Sequence, residues 1–287
     1  MRGAKVRIAV ASGKGGTGKT TVAVNLAAVM GAGCRLYDCD VEEPNAHLFL
    51  RGEKVGEEVV TVPLPVVDEG LCDRCGACAD FCAYGALVIL GTEVLVFPEL
   101  CHGCGGCRLV CPRGAVTEVP RRIGVVETIH ARGITLRGGR LDVGVPMAPP
   151  LVRAVRAGGD GGGIAVIDAP PGASCPVIAA VRDTDLVLLV AEPTPFGLHD
   201  LEIAVETTKA LGLRAACVIN RAGGGDGGVH AYCGGEGIPV LMEIPEDRRV
   251  AEIYSRGGLV VEHGGDHRAR FEDLAKIILA GDGRKES

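Results

Sequence analysis

The chain has 287 residues, 47% of them hydrophobic and only 3% aromatic, with no Trp and a formal net charge of −6. That charge gives no global support to nucleic-acid binding, and no apolar run nears the roughly 18 residues of a membrane span. Thirteen cysteines with no visible secretory leader point to metal or redox use in a reducing cytoplasm rather than to disulfides.

VRIAVA (Val6 to Ala11) reads as a buried strand and runs straight into ASGKGGTGKTT, after which TTVAVNLAAVMG reads as a helix. This is a phosphate-binding loop of the form G-x-x-x-x-G-K-[ST]. Gly13, Gly15, Gly16 and Gly18 let backbone N–H groups turn inward, and the helix adds its positive end. Lys19 is expected to contact the β- and γ-phosphates of ATP, and the Thr20 hydroxyl to hold Mg²⁺. Thr17 and Thr21 complete the loop. Lys14 is one lysine more than the motif requires.

CRLYDCD (Cys34 to Asp40) reads as a second strand ending in acids. Asp38 and Asp40 lie two residues apart, so along an extended chain both would point the same way. One would support the metal's water shell, the other orient an attacking water.

Residues 65–120 differ in composition. CDRCGACADFC and CHGCGGCRLVCP are two copies of C-x2-C-x2-C-x3-C, the spacing of a paired-cluster ferredoxin in which the fourth cysteine of each run reaches the other cluster. Cys72, Cys75, Cys78 and Cys111 are assigned to one 4Fe–4S cluster, and Cys101, Cys104, Cys107 and Cys82 to the second. Pro112 follows the last cysteine as the pattern asks, but Ala83 stands where a proline is expected. A zinc ribbon needs two pairs, and triplets fit it poorly.

Beyond this block, residues 121–145 read as short strands with tight turns. IAVID then runs into DAPPG, placing Asp168 at a strand end where a carboxylate can hold a water on Mg²⁺. DLVLLVAEP, RAACVIN and PVLMEIP read as further strands. HDLEIAVETTKALG puts Leu201, Val205, Thr208 and Leu211 on one helix face, and RFEDLAKIILAG closes the chain as an amphipathic helix. The glycine runs at 158–163 and 223–228 read as surface loops. Strand–helix alternation of this kind predicts a mostly parallel sheet with helices on both faces. Cys34, Cys39 and Cys217 are expected to pack as small hydrophobes, and Cys233 to have no cysteine nearby.

KGGTGKTT resembles the deviant phosphate loop of the MinD/ParA group of ATPases, DCDVEEPN its first switch, DAPPG its second, and VIN with EIPED its base-recognition segments. The whole resembles a MinD-superfamily P-loop ATPase with an inserted ferredoxin domain, related to Mrp-type iron–sulfur carriers. The resemblance implies an α/β P-loop NTPase fold in two segments, 1–64 and 121–281, around a small α+β bacterial-type ferredoxin domain at 65–120, with a polar tail at 282–287. It also implies an ATP-dependent homodimer in which Lys14 crosses to the partner's phosphates. Asp40 would position the hydrolytic water, Gly172 sense the γ-phosphate through its backbone, and Asn220 read adenine by its amide. Cys175, shortly after the second switch, resembles a cluster cysteine of the nitrogenase iron protein.

The implied function is ATP hydrolysis coupled to two 4Fe–4S clusters, serving electron transfer or metal-cofactor assembly with a redox or acceptor protein as partner. The alternative is a positioning or regulatory ATPase in which the cysteine block senses redox state. Neither nucleic acid nor membrane is an expected partner: the closing helix carries mixed charge rather than a basic amphipathic face.

Overall fold

A computed structural model describes residues 6–158, 162–223, 227–263 and 265–281. The tail at 282–287 and the middle of both glycine runs lie outside these. Among the described residues nine strands form one sheet, in the order β11-β10-β9-β1-β8-β2-β7-β6-β3. The ranges are β1 Val6–Ala11, β2 Arg35–Asp38, β3 Glu53–Val67, β6 Val116–Ala131, β7 Ile134–Leu141, β8 Ile164–Asp168, β9 Leu186–Ala191, β10 Ala215–Ala222 and β11 Val240–Pro245. From β11 through β7 all neighbours are parallel; β7, β6 and β3 pair antiparallel.

The central strands form because continuous apolar runs can be buried on both faces. α1 (Lys19–Met30) and α9 (His267–Gly281) cover one face, where Leu26, Phe271 and Leu274 meet Ile8, Leu36 and Val166. The other face carries α4 (Ala148–Ala157), α5 (Cys175–Val181), α6 (Pro195–Ala210) and α7 (Gly228–Glu236), whose Leu151, Val177, Leu201 and Val229 enclose Ala9, Ile167 and Leu189. The chain is thus an α/β P-loop fold with helices on both faces, as the alternation predicts. Leu201, Val205 and Thr208 are buried along α6.

Residues 121–145 depart from expectation. Instead of several short strands, β6 continues unbroken out of the cysteine block to Ala131. It turns at Arg132 and Gly133 (φ 55° and 77°) and returns as β7. Two consecutive positive φ values make a tight hairpin turn whose twist matches the strands. Pro120 does not interrupt β6, because it lies opposite Pro63 in a stretch where β7 no longer pairs; a residue without an N–H is tolerated on an unpaired strand side. Beyond Gly124, the partner of Leu141, β3 and β6 run on as a two-stranded ribbon. The boundaries 64/65 and 120/121 therefore fall inside continuous strands.

At the ribbon's end stands a small unit with its own core of Ala86, Leu87 and Val116 around Cys78, Cys101 and Cys107. It contains α2 (Ala77–Phe81), α3 (Gly106–Val110) and a hairpin of β4 (Leu87–Leu90) with β5 (Glu93–Val96). One constant sequence offset relates its halves. The Asp68 N–H donates to the Ala115 carbonyl and the Phe97 N–H to the Ala86 carbonyl, both at 2.8 Å. Each half thus pairs with the end of the other.

Candidate functional site

The loop after β1 is shaped by close approaches. Gly16 and Gly18 lie at φ 80° and 95°, and a Cβ on Gly13 would stand 2.0 Å from the Asp200 carbonyl oxygen of α6. Glycine is required there for contact. Lys19 is buried and folds back, its Nζ donating to the Lys14 carbonyl (3.3 Å), which also accepts from Ser12 Oγ (2.6 Å). Burial pushes the Lys19 amine below its usual range, opposed by the Asp168 and Asp40 charges.

β2 and β8 are in register with Asp38 beside Asp168. Their roles diverge. Asp38 Oδ1 accepts the Asp40 N–H (3.2 Å), and Oδ2 accepts those of Asn45 and Ala46 (3.0 and 2.9 Å), so Asp38 pins the following loop. Burial pushes it up to about 7, the three N–H bonds opposing and the Asp40 charge adding to the rise. Asp38 and Asp40 are not two positions of one extended strand, because β2 ends at Asp38; Asp38 is buried, whereas Asp40 lies in the loop and lines the cleft. Burial also raises Asp40, while Lys19 lowers it.

Asp168 is fully buried and neither carboxylate oxygen has a hydrogen-bond partner. Burial and then the Asp38 charge raise it far above the carboxylate range, with the Thr20 hydroxyl alongside acting the other way. Two orphaned oxygens in the interior are costly unless a cation completes them. A hydroxyl and a carboxylate beside a phosphate loop are the hard oxygen donors that Mg²⁺ takes. The residues present fit that ion.

Lys14 is half-exposed and lies between Glu192 Oε2 (3.6 Å) and Asp200 Oδ2 (3.5 Å); Glu192 also pairs with Arg221 (2.5 Å). Sequence reasoning missed both acids. They are distant in the chain, and only the packing of β9 and α6 on the loop brings them there. The Gly172 N–H donates to the Ser12 carbonyl (3.1 Å), so contact with a phosphate requires that bond to open. Asn220 is likewise engaged: its Nδ2 donates to the Thr17 carbonyl (2.8 Å) and its Oδ1 accepts the Arg221 N–H (3.0 Å). One donor hydrogen and one lone pair remain for a ligand. Thr17 Oγ1 is buried without a partner, while Gly15, Gly16, Gly18, Thr20 and Thr21 line a cavity of about 670 Å³ together with Arg248, Val250 and Tyr254. That volume suits a nucleotide.

The eight cysteines sort by pocket. Cys72, Cys75, Cys78 and Cys111 line one, and Cys82, Cys101, Cys104 and Cys107 another. Among the described residues no three His, Cys, Asp or Glu side chains converge on one ion-sized point; the thiols rim volumes instead. Backbone N–H groups face the sulfurs in matching places, Ala86 to Cys82 and Ala115 to Cys111, both at 3.3 Å, and Gly103 to Cys101 at 3.4 Å. Burial raises Cys78 and Cys107. For Cys111, burial is outweighed by the N–H groups of Ala115, Arg113, Val116 and Gly114, and the thiol lies below its usual range. Four thiols line each pocket, with backbone donors facing Cys82, Cys101 and Cys111, a donor set that fits an iron–sulfur cluster. Tyr84 stacks on His102 at 3.6 Å over the second pocket.

Among the remaining cysteines, Cys34, Cys39 and Cys217 are buried, as expected. Cys233 is not isolated: it is a hydrogen-bond neighbour of Cys217, and that bond first, then burial, pushes Cys217 up. Cys175 opens α5 and is exposed.

Residues 8–260 match the model of the CobQ/CobB/MinD/ParA nucleotide binding domain. The chain belongs to that family. It is therefore a P-loop ATPase by family. Two uncharacterized proteins of Methanocaldococcus jannaschii are similar to it. One is 29% identical, covering 96% of this chain and 98% of the relative. The other is 33% identical, covering 76% and 79%. An iron–sulfur cluster carrier protein of Pyrococcus abyssi is 25% identical over 98% of this chain and 90% of its own length. The septum site-determining protein MinD of Pyrococcus horikoshii, solved with Mg-ADP, shares the fold with TM-score 0.62 at 21% identity, covering 98% of this chain and 99% of that one. No helix among the described residues is long and apolar enough to cross a membrane.

Proposed function

We propose that this ATPase carries two resident 4Fe–4S clusters in an inserted ferredoxin-type unit at 65–120, and that its nucleotide cycle gates electron transfer through them. The observation that carries the reading is the division of eight cysteines into two complete sets of four. Clusters fully ligated by one chain suit electron transfer, whereas a cluster in transit needs an open or shared ligand position. When bound, the clusters supply one-electron chemistry.

In the proposed cycle the loop N–H groups and Lys19 cradle the β- and γ-phosphates of ATP, and Thr20 and Asp168 hold Mg²⁺. Asp40 orients the attacking water, while Asp38 fixes the loop from which Asp40 projects. The Gly172 N–H leaves Ser12 for the γ-phosphate, and Asn220 reads the base with its remaining donor and acceptor. Lys14 leaves Glu192 and Asp200 for the phosphates of a second protomer, so that hydrolysis waits on dimerisation. ATP closes the dimer, and hydrolysis releases it.

A second reading, delivery of a cluster to an acceptor, is favoured by the name of the Pyrococcus carriers. Iron and zinc analysis of the anaerobically reconstituted chain tests the shared premise: about eight iron atoms per chain are expected, and stoichiometric zinc overturns it. ATP-dependent reduction of an artificial acceptor separates the first reading from ATP-dependent appearance of a cluster in an apo-acceptor.

A further inference from the structure

We infer that Arg121 is the positioning residue through which the loop after β2 reaches the second cysteine pocket, and not the first. This rests on the proposed coupling of nucleotide and clusters, and names where that coupling runs.

The route is short and alternates hydrogen bonds with steps along the chain. Val41, next to Asp40, packs against β7 where the sheet makes room for it: a Cβ on Gly139 would stand 2.6 Å from Val41 Cγ1. The Val41 carbonyl accepts the Leu141 N–H (2.8 Å). The next residue, Asp142, donates its N–H to the Ile123 carbonyl (2.9 Å), and its carboxylate takes Arg122 Nε and a terminal nitrogen at 2.8 and 3.2 Å. Ile123 is the extra residue at the register shift where the ribbon leaves the sheet. Two residues before it, Arg121 donates from one guanidinium nitrogen to the Pro98 carbonyl and from the other to the Cys101 carbonyl (3.1 Å).

The turn that Arg121 holds is the one that presents Cys101. The Cys101 N–H donates to the same Pro98 carbonyl (3.1 Å), and Cys101 Sγ accepts the Gly103 N–H. Gly103 is pressed onto the ribbon opposite Arg121, since a Cβ there would lie 3.0 Å from both the Pro63 oxygen and Val62 Cβ. Val62 is the ladder partner of Arg121. The arginine and its ladder partner thus hold residues 98–103 at both ends of the turn, Arg121 at Pro98 and Cys101 and Val62 at Gly103. Movement of that turn changes hydrogen bonding at a ligand sulfur, one of the levers that set a cluster's potential.

The internal repeat supplies the contrast. The offset that takes Cys72 to Cys101 takes Thr92 to Arg121, and Thr92 has no guanidinium. The arginines around the first pocket are spent locally, Arg74 on the Thr92 carbonyl and Arg113 on Asp73. Arg121 Nε is buried without a partner, a cost borne where two other bonds fix the side chain.

Hydrogen exchange on the anaerobically reconstituted full chain, with and without a non-hydrolysable ATP analogue and Mg²⁺, tests this. In the wild type, exchange at 98–107 should change by roughly twofold or more, a typical coupling size, while 69–78 stays constant. Arg121→Gln should abolish the change with iron content and protection of 13–21 retained, and Arg121→Lys, able to keep one carbonyl bond, should restore part of it. If Arg121→Gln loses iron, Asp142→Ala, which removes the carboxylate that holds Arg122 beside the backbone route and away from the cysteines, should diminish the same change. A response confined to 69–78, equal in both segments, or undiminished in the variants overturns the route while the coupling survives. A wild type in which 13–21 and 40–46 are protected but neither cysteine segment responds overturns the coupling itself.

Discussion

Replacing Asp38 by Asn should reverse its effect on stability with pH. In the nucleotide- and Mg²⁺-free chain, burial raises this carboxyl from 3.8 to about 7, so the folded state binds its proton more tightly than the unfolded chain does. Its contribution is therefore complete below about pH 4 and is lost as pH climbs through about 7. The full shift sets a ceiling of about 4 kcal/mol. Asn cannot titrate, yet its amide nitrogen cannot accept either, so one of the Asp40, Asn45 and Ala46 N–H groups loses a partner, at about 1–3 kcal/mol. Asp38→Asn should thus be less stable than wild type at pH 5 by about that amount, with the gap closing or inverting by pH 8.5. Urea unfolding in EDTA across this range, at constant iron content, measures it. Parallel profiles for the two proteins would refute the reasoning.

Mg²⁺ takes Asp168 in its deprotonated form, and burial raises that carboxyl, so Mg²⁺ affinity in the presence of ADP should rise with pH, by at most about tenfold per pH unit for one proton released, read by calorimetry. Gly13→Ala forces a Cβ into the Asp200 carbonyl, 2.0 Å away, and should cost about 1–3 kcal/mol in thermal unfolding and weaken ATP binding more than tenfold. Lys14→Ala should bind ATP normally by fluorescence titration yet fail to dimerise with it in light scattering. Glu192→Gln removes one of two partly exposed pairs, worth up to about 1 kcal/mol, and should favour the ATP dimer up to about fivefold. Cys107→Ser and Cys78→Ser should each lower iron by about four atoms per chain, leaving different paramagnetic signals after reduction.

What was legible in the sequence was local. β1, β8, β9 and β10 are mostly apolar runs, broken by Arg7 in β1 and by polar residues only near the ends of β8 and β10, and the phosphate loop and cysteine triplets carry their chemistry in spacing alone. β3 was not legible, because EKVGEEVVTVPLPVV alternates charge with valine and contains two prolines. Only its pairing with β6 along the ribbon makes it a strand. The same holds within the site. An extended chain repeats every two residues and would pair Asp38 with Asp40, but the strand stops between them. Lys14 against Glu192 and Asp200, Gly13 against Asp200, Arg121 to Cys101, and Cys217 beside Cys233 are products of packing between separate segments, and no local pattern marks them.

The most direct measurement is ATP hydrolysis by one preparation held oxidised, reduced and iron-depleted. If the nucleotide cycle and the cysteine unit are coupled, the three rates differ and the difference tracks cluster state on re-oxidation. Equal rates in all three would contradict the coupling.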